Sequence, residues 1–208
     1  MLEQKIAEAL LSIGAVSLRP DEPFTWTSGL KSPIYCDNRL TLSHPRIRDM
    51  IAEGFASVIR ERFPDAQVIA GTATAGIPHA AWVAQKLDLP MIYVRDKAKG
   101  HGKQNLIEGE LQPGSRTIVI EDLISTGGSS LKAAQAVNEA GGKALAVLAI
   151  FSYQFDKAVS AFQSNGIPLL TLSNYSALLD VAVRTGRIRT EDVESLQAWR
   201  KQPETYGK

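Results

Sequence analysis

Apolar residues recur at helical spacing from the start of the chain. Leu2, Ile6, Ala9, Leu10 and Ile13 form one stripe, and Gly14 is placed to end it. Residues 15–42, interrupted by Pro20, Pro23, Gly29 and Pro33, show no period and are expected to be irregular. A second, longer stripe follows through Ile47, Met50, Ile51, Phe55, Val58, Ile59 and Phe63. Ser43 can cap this helix, Pro45 suits its first turn, and Pro64 stops it. Beyond Pro64, short apolar runs alternate with amphipathic segments. The runs 67–71, 91–94, 117–121, 143–151 and 167–172 read as strands. The segment opening at Thr72 and those at 128–140 and 155–164 read as the intervening helices. The tail, 173–202, reads as helical, with Ser173 and Thr190 as caps.

Apolar strand runs separated by helices predict an α/β fold, a central parallel sheet covered by helices on both faces. In such sheets ligands bind beyond the carboxyl ends of the strands. The loops after the first three runs are therefore where chemistry is sought. At 208 residues the chain suits one α/β domain: an N-terminal helix and irregular segment (1–42), a core (43–175) and a helical C-terminal segment (176–208).

Charge narrows the function classes. The net charge of +1 offers no global field for nucleic acid or a membrane surface. No apolar run approaches the roughly 18 residues of a membrane span. Glu3, Lys5 and Glu8 interrupt the N-terminus where a signal peptide needs apolar residues. Cys36, the one cysteine, cannot form an internal disulfide, which is compatible with a reducing, cytoplasmic setting. Its neighbours Tyr35 and Asp37 do not stabilise a thiolate, so it is expected to be inert.

The third strand run leads into Glu121 and Asp122, and LISTGGSS follows. Glycines let a backbone approach a ligand closely, and successive N–H groups at a helix start form an anion cradle. Ser125, Thr126, Gly127, Gly128 and Ser129 could thus hold a phosphate. The loop lacks the lysine of a triphosphatase P-loop. By itself it reads equally well as a plain strand–turn–helix capped by Ser129. The acids add a constraint, because buried carboxylates need donors. A ligand that separates vicinal hydroxyls from a phosphate by one sugar ring satisfies both halves: a ribose 5-phosphate. Residues 71–81, with Thr72, Ala73, Thr74 and Ala75 leading into Gly76, form a second strand–helix turn. It could hold another anion or could be a tight packing turn. Arg95, Lys97, Lys99, His101 and Lys103 cluster in a polar, glycine-bearing loop. This loop reads as a solvated surface or as a mobile arm of cations.

VIEDLISTGGSS resembles the phosphoribosyl-pyrophosphate signature of type I phosphoribosyltransferases. The R-x-x-x-K-x-H-G stretch from Arg95 is similar to the catalytic loop of the orotate-specific members, and FTWTSGLKSPIY to their base-binding hood. The resemblance implies a type I phosphoribosyltransferase fold with a small N-terminal hood. It implies phosphoribosyl pyrophosphate bound by 72–75, by Arg95, Lys99 and His101, and by 121–129, including Leu123 and Ile124. Catalysis would involve Lys99, His101, Arg95 and Asp122. Orotate would meet Ser125, Lys31, Tyr35 and Arg39. Mg²⁺ would be held mainly through the phosphoribosyl pyrophosphate, and the 95–103 loop would be shared across a homodimer. Ala75, Asp96 and Thr27 stand where some members carry basic residues. A purine phosphoribosyltransferase and a phosphoribosyl-pyrophosphate-sensing nucleic-acid-binding regulator are the alternatives.

Overall fold

The computed structural model describes residues 1–26, 29–97, 106–204 and 206. Its centre is a six-stranded sheet. The strands are β5 (Val68–Thr72), β6 (Met91–Val94), β7 (Ile107–Glu108), β8 (Arg116–Ile124), β9 (Lys143–Ser152) and β10 (Leu169–Asn174). Their order is β10-β9-β8-β5-β6-β7, and every pair is parallel except β6–β7. The expected parallel sheet is therefore present. The antiparallel edge strand β7 is an addition, set inside the polar stretch 96–110, where two residues are too few for a hydrophobic pattern.

Side chains alternate across the sheet, as a pleat requires. Ile69, Ile118, Ile120 and Leu148 face one apolar cluster; Val68, Ala70, Val119 and Val147 face another. The larger cluster is covered by α1 (Leu2–Ser12), α2 (Pro45–Arg62), α3 (Gly76–Leu87), α6 (Tyr175–Arg184) and α7 (Asp192–Lys201). The smaller is covered by α4 (Gly128–Glu139) and α5 (Asp156–Ser164). Helices α3 and α4 leave the neighbouring strands β5 and β8 towards opposite faces.

The segment expected to be irregular is ordered into two antiparallel ribbons. One pairs β1 (Val16–Leu18) with β4 (Ile34–Cys36), and the other pairs β2 (Phe24–Thr25) with β3 (Lys31–Ser32). Trp26 pins this hood to the core, with its ring 5.6 Å from Tyr153 and 6.0 Å from Trp199. Its indole N–H donates to the Ile34 carbonyl at 3.2 Å. The 3₁₀ helix Asn38–Ser43 then leads into α2.

Several boundaries differ from the sequence expectation. Ser43 closes the 3₁₀ turn, so His44 occupies the cap position of α2, without a side-chain bond. Ser173 is the penultimate residue of β10; Asn174 caps α6 and accepts from the Ala177 N–H at 3.0 Å. Thr190 is replaced as the cap of α7 by Glu191. Strand β8 does not end on the acids but continues to Ile124. It pairs with β9 to the end, whereas its last β5 pair is Gly71–Ile120.

Candidate active site

A cavity of about 660 Å³ opens at the carboxyl ends of β5 and β8. Ala73, Thr74 and Ala75 supply one wall, Glu121, Asp122 and Leu123 another, and Ser129 a third. Cys36, Asp37, Arg39 and Leu42 close the hood side, with Pro78 beside them. The parts meet because the backbones approach closely. A β-carbon on Gly76 would stand 2.4 Å from the Ile120 carbonyl oxygen, so α3 can start over β8 only with glycine there. Gly127 turns the chain into α4 with φ +79° beneath Phe162, whose ring edge a β-carbon would meet at 2.7 Å. The Ala73–Thr74 peptide is cis.

The acid pair is the electrostatic centre. Glu121 is 5% exposed and accepts the Asp122 backbone N–H at 3.0 Å. Burial, reinforced by the neighbouring Asp122 charge, pushes the Glu121 carboxyl up to about 9. Burial also raises Asp122. Burial thus favours the protonated form of these acids, and hydrogen-bond donors would favour the ionised form. The Thr72 hydroxyl, buried beside Glu121, has no partner of good geometry among the described residues. Arg39 is the one cation among the described lining residues. It is already spent on Asp37, with two bonds of 2.7 and 3.0 Å that hold the Asp37 carboxyl below its ordinary range.

A second cavity of about 470 Å³ shares Ser129 with the first and is lined by Thr72, Arg95, Gly128 and Lys132 among others. Arg95 donates to Glu108 at 3.3 Å, and its backbone N–H to the Leu106 carbonyl at 2.8 Å. Burial and the Asp122 and Asp37 carboxylates raise the Cys36 thiol well above its usual value, in line with an inert cysteine.

A protein-family model of the phosphoribosyl transferase domain matches residues 41–168. An orotate phosphoribosyltransferase from Listeria innocua is 56% identical over 207 residues, covering 100% of this chain and 99% of the relative. One from Enterococcus faecalis is 58% identical over 205 residues, covering 99% of this chain and 98% of the relative. The chain belongs to the orotate phosphoribosyltransferase family. Among solved structures, the orotate phosphoribosyltransferase of Aeropyrum pernix superposes with a TM-score of 0.75 at 27% identity, covering 88% of this chain and 99% of that one. The UMP synthase of Leishmania donovani gives 0.80 at 27% identity; 95% of this chain aligns with 42% of that longer one.

Within this type I phosphoribosyltransferase fold the expected site residues fall into six groups. Ala73, Thr74, Ala75, Glu121, Asp122, Leu123, Ser129 and Arg39 line the main cavity. Thr72, Arg95 and Gly128 line its neighbour. Ser125, Thr126 and Gly127 form the turn between β8 and α4, with Ser125 half-buried and Thr126 exposed. The Ile124 side chain is fully buried in the smaller core, so only its backbone is available to a ligand. Lys31 is exposed and donates to the Thr25 hydroxyl at 2.7 Å, and Tyr35 is 46% exposed with its ring 5.7 Å from Phe24. Both stand on the hood, outside the cavity lining. Lys99, His101 and Lys103 lie outside the described residues. Cys36, Asp37, Leu42 and Pro78 reach the cavity without having been expected to. Asp37 beside Arg39 was the available signal, whereas nothing in the pattern marks Leu42 or Pro78.

Proposed function

We propose that the chain transfers the ribose 5-phosphate group of phosphoribosyl pyrophosphate to orotate in pyrimidine (UMP) biosynthesis. The products are orotidine 5′-phosphate and pyrophosphate. One observation carries the assignment of roles: the acid pair, the 73–75 turn and the start of α4 line one cavity. Glu121 and Asp122 take the ribose hydroxyls. The 125–129 turn takes the 5′-phosphate at a helix start, where free N–H groups and the helix dipole favour an anion. The 72–75 turn takes the pyrophosphate. Donation from the ribose hydroxyls would favour the ionised form of the acid pair, opposing the effect of burial.

Among the described lining residues the one cation, Arg39, is paired with Asp37, which supports a reading in which further cations come from the 95–103 loop. Arg95, Lys99 and His101 supply them from the 95–103 loop, shared between the subunits of a homodimer. Departure of pyrophosphate leaves positive charge on the anomeric carbon and negative charge on the leaving oxygens. Preorganised cations act most strongly there once water is excluded. No protein nucleophile is needed, so positioning and electrostatics provide the acceleration.

Mg²⁺ fits this donor set. No group of three ligating side chains occurs among the described residues, but two carboxylates line the floor. Mg²⁺ is commonly held by one or two carboxylates together with substrate phosphates. When bound it would neutralise charge on the pyrophosphate. Lys31, Tyr35, Arg39 and Ser125 are assigned to the orotate side. The setting is the cytosol, supported by the lone inert thiol and by the lack of a helix among the described residues long and apolar enough to cross a membrane.

The test is orotate consumption followed by absorbance, with and without phosphoribosyl pyrophosphate and Mg²⁺. Consumption requiring both is expected; turnover of hypoxanthine or adenine instead would reject the base assignment, and turnover without Mg²⁺ the metal.

A further inference from the structure

Asn38 is 1% exposed, and both of its side-chain polar atoms have partners. Its side-chain N–H donates to the Asp122 carbonyl at 2.7 Å, across 84 residues of sequence. Its side-chain oxygen faces the Cys36 thiol at 3.4 Å, and its backbone carbonyl accepts the Thr41 hydroxyl at 2.6 Å. The Thr41 oxygen lies 3.4 Å from Nε2 of the buried His79 on α3.

The position explains the need. Beyond Ile120, β8 has no β5 partner, because the last pair is Gly71–Ile120. On that side of β8 the Asp122 carbonyl gains no β5 ladder bond, and a backbone acceptor left without a donor is costly. The Asn38 amide provides that donor. The same short segment supplies Cys36, Asp37, Arg39 and Leu42 to the cavity wall. One side chain thus joins the hood wall to the backbone that aims the acids.

We propose that Asn38 is a positioning residue for the acid pair, fixing the Asp122 peptide so that both carboxylates meet the ribose hydroxyls. This rests on the reading that Glu121 and Asp122 hold those hydroxyls. Asn38 touches no substrate itself. Its effect is confined to ligands that carry the ribose, which separates orientation of the acids from general loosening of the fold.

The experiment is calorimetric titration of the full chain with phosphoribosyl pyrophosphate and, separately, inorganic pyrophosphate, each with Mg²⁺. Asn38→Ala is expected to weaken phosphoribosyl pyrophosphate by at least about fivefold and to leave pyrophosphate within about twofold. Thr41→Val loses a bond to the same asparagine but spares its amide on Asp122, so both affinities stay within about twofold of wild type. Asn38→Leu keeps the approximate shape, removes the donor without adding a charge and replaces Asn38→Ala should that variant fail to fold. Unchanged affinity for phosphoribosyl pyrophosphate, or equal weakening of both ligands, overturns the inference. Asp122→Asn tells the two failures apart. If it weakens phosphoribosyl pyrophosphate while Asn38→Ala does not, Asn38 alone loses its role. If it too is without effect, the reading of the acid pair falls, and the inference with it.

Discussion

Gly76→Ala probes the closest backbone approach in the site. The added methyl would stand 2.4 Å from the Ile120 carbonyl oxygen, 3.3 Å from its carbon and 3.4 Å from the Glu121 α-carbon. Carbon–oxygen contacts ordinarily stop at about 3.3 Å, so the overlap is roughly 0.9 Å. Both partners are backbone, one in a helix and one in a central strand, and no side chain can swing aside. Overpacking of a core costs about 1–3 kcal/mol, and this rigid case belongs at the top of that range. In a protein of this length each kcal/mol is worth about 2–4 °C, which gives a fall in Tm of about 6–12 °C. The same displacement of nearly an ångström moves the 73–75 turn relative to Glu121. Misplacement on that scale costs about 10²-fold in kcat/KM for phosphoribosyl pyrophosphate. Scanning calorimetry and steady-state kinetics on one preparation, assayed well below Tm, measure both. Gly128→Ala is the internal reference, since a β-carbon there meets none of the described residues within 4 Å. It should match or slightly exceed the wild-type Tm, by at most about 1 kcal/mol of helix propensity. A Gly76→Ala protein that unfolds within about 2 °C of wild type and keeps its kcat/KM within about threefold would refute the reasoning.

Other perturbations follow from the same geometry. Because the Glu121 carboxyl is raised in the fold, it binds its proton more tightly than in the unfolded chain. Its contribution to stability is present below about 4.5 and lost as pH rises towards about 9. Glu121→Gln should therefore gain stability relative to wild type at alkaline pH, measured by urea unfolding at pH 5, 7 and 9; parallel profiles would contradict this. Trp199, 1% exposed among Trp26, Tyr153, Phe155 and Tyr175, should cost about 3–5 kcal/mol as Trp199→Ala, and a loss below about 1 kcal/mol would show that the aromatic cluster contributes little. Lys99→Ala alone should lower turnover about 10²–10³-fold if Lys99 acts as a transition-state cation. Under the proposed loop-sharing dimer, mixing and reassociation with Asp122→Ala subunits should restore activity, because one site of each mixed dimer keeps both residues; no recovery despite proven subunit exchange would exclude a shared loop.

The core was legible because its signals are local and repeated. Five apolar runs at the right spacing correspond to β5, β6, β8, β9 and β10, and the stripes of α1 and α2 fall where expected. The hood was indicated by its resemblance, but its strands were not legible, since its ribbons are two or three residues long and are held by Trp26 packing on Tyr153 and Trp199, contacts remote in sequence. Helix caps shifted by one residue, and at α6 a tertiary contact accompanies the shift: Asn174 caps α6 while its amide also donates to Glu3 of α1. In the site, Glu121, Asp122, the 73–75 turn and Ser129 could be read as parts of one cavity from motif and position. Leu42 and Pro78 could not, because an apolar residue lining a cavity looks in sequence like any core residue. Asn38 belongs with them, its importance resting on a strand that outruns its neighbour.

The divergence of α3 and α4 from adjacent strands gives a bound ligand a mechanical role. The two turns belong to separate apolar layers, and among the described residues the cavity between them is bridged mainly through β8. A molecule gripped at one end by 73–75 and at the other by the start of α4 cross-links those layers. Occupancy should consequently slow amide exchange in the first turns of both helices together, including positions that touch no part of the ligand.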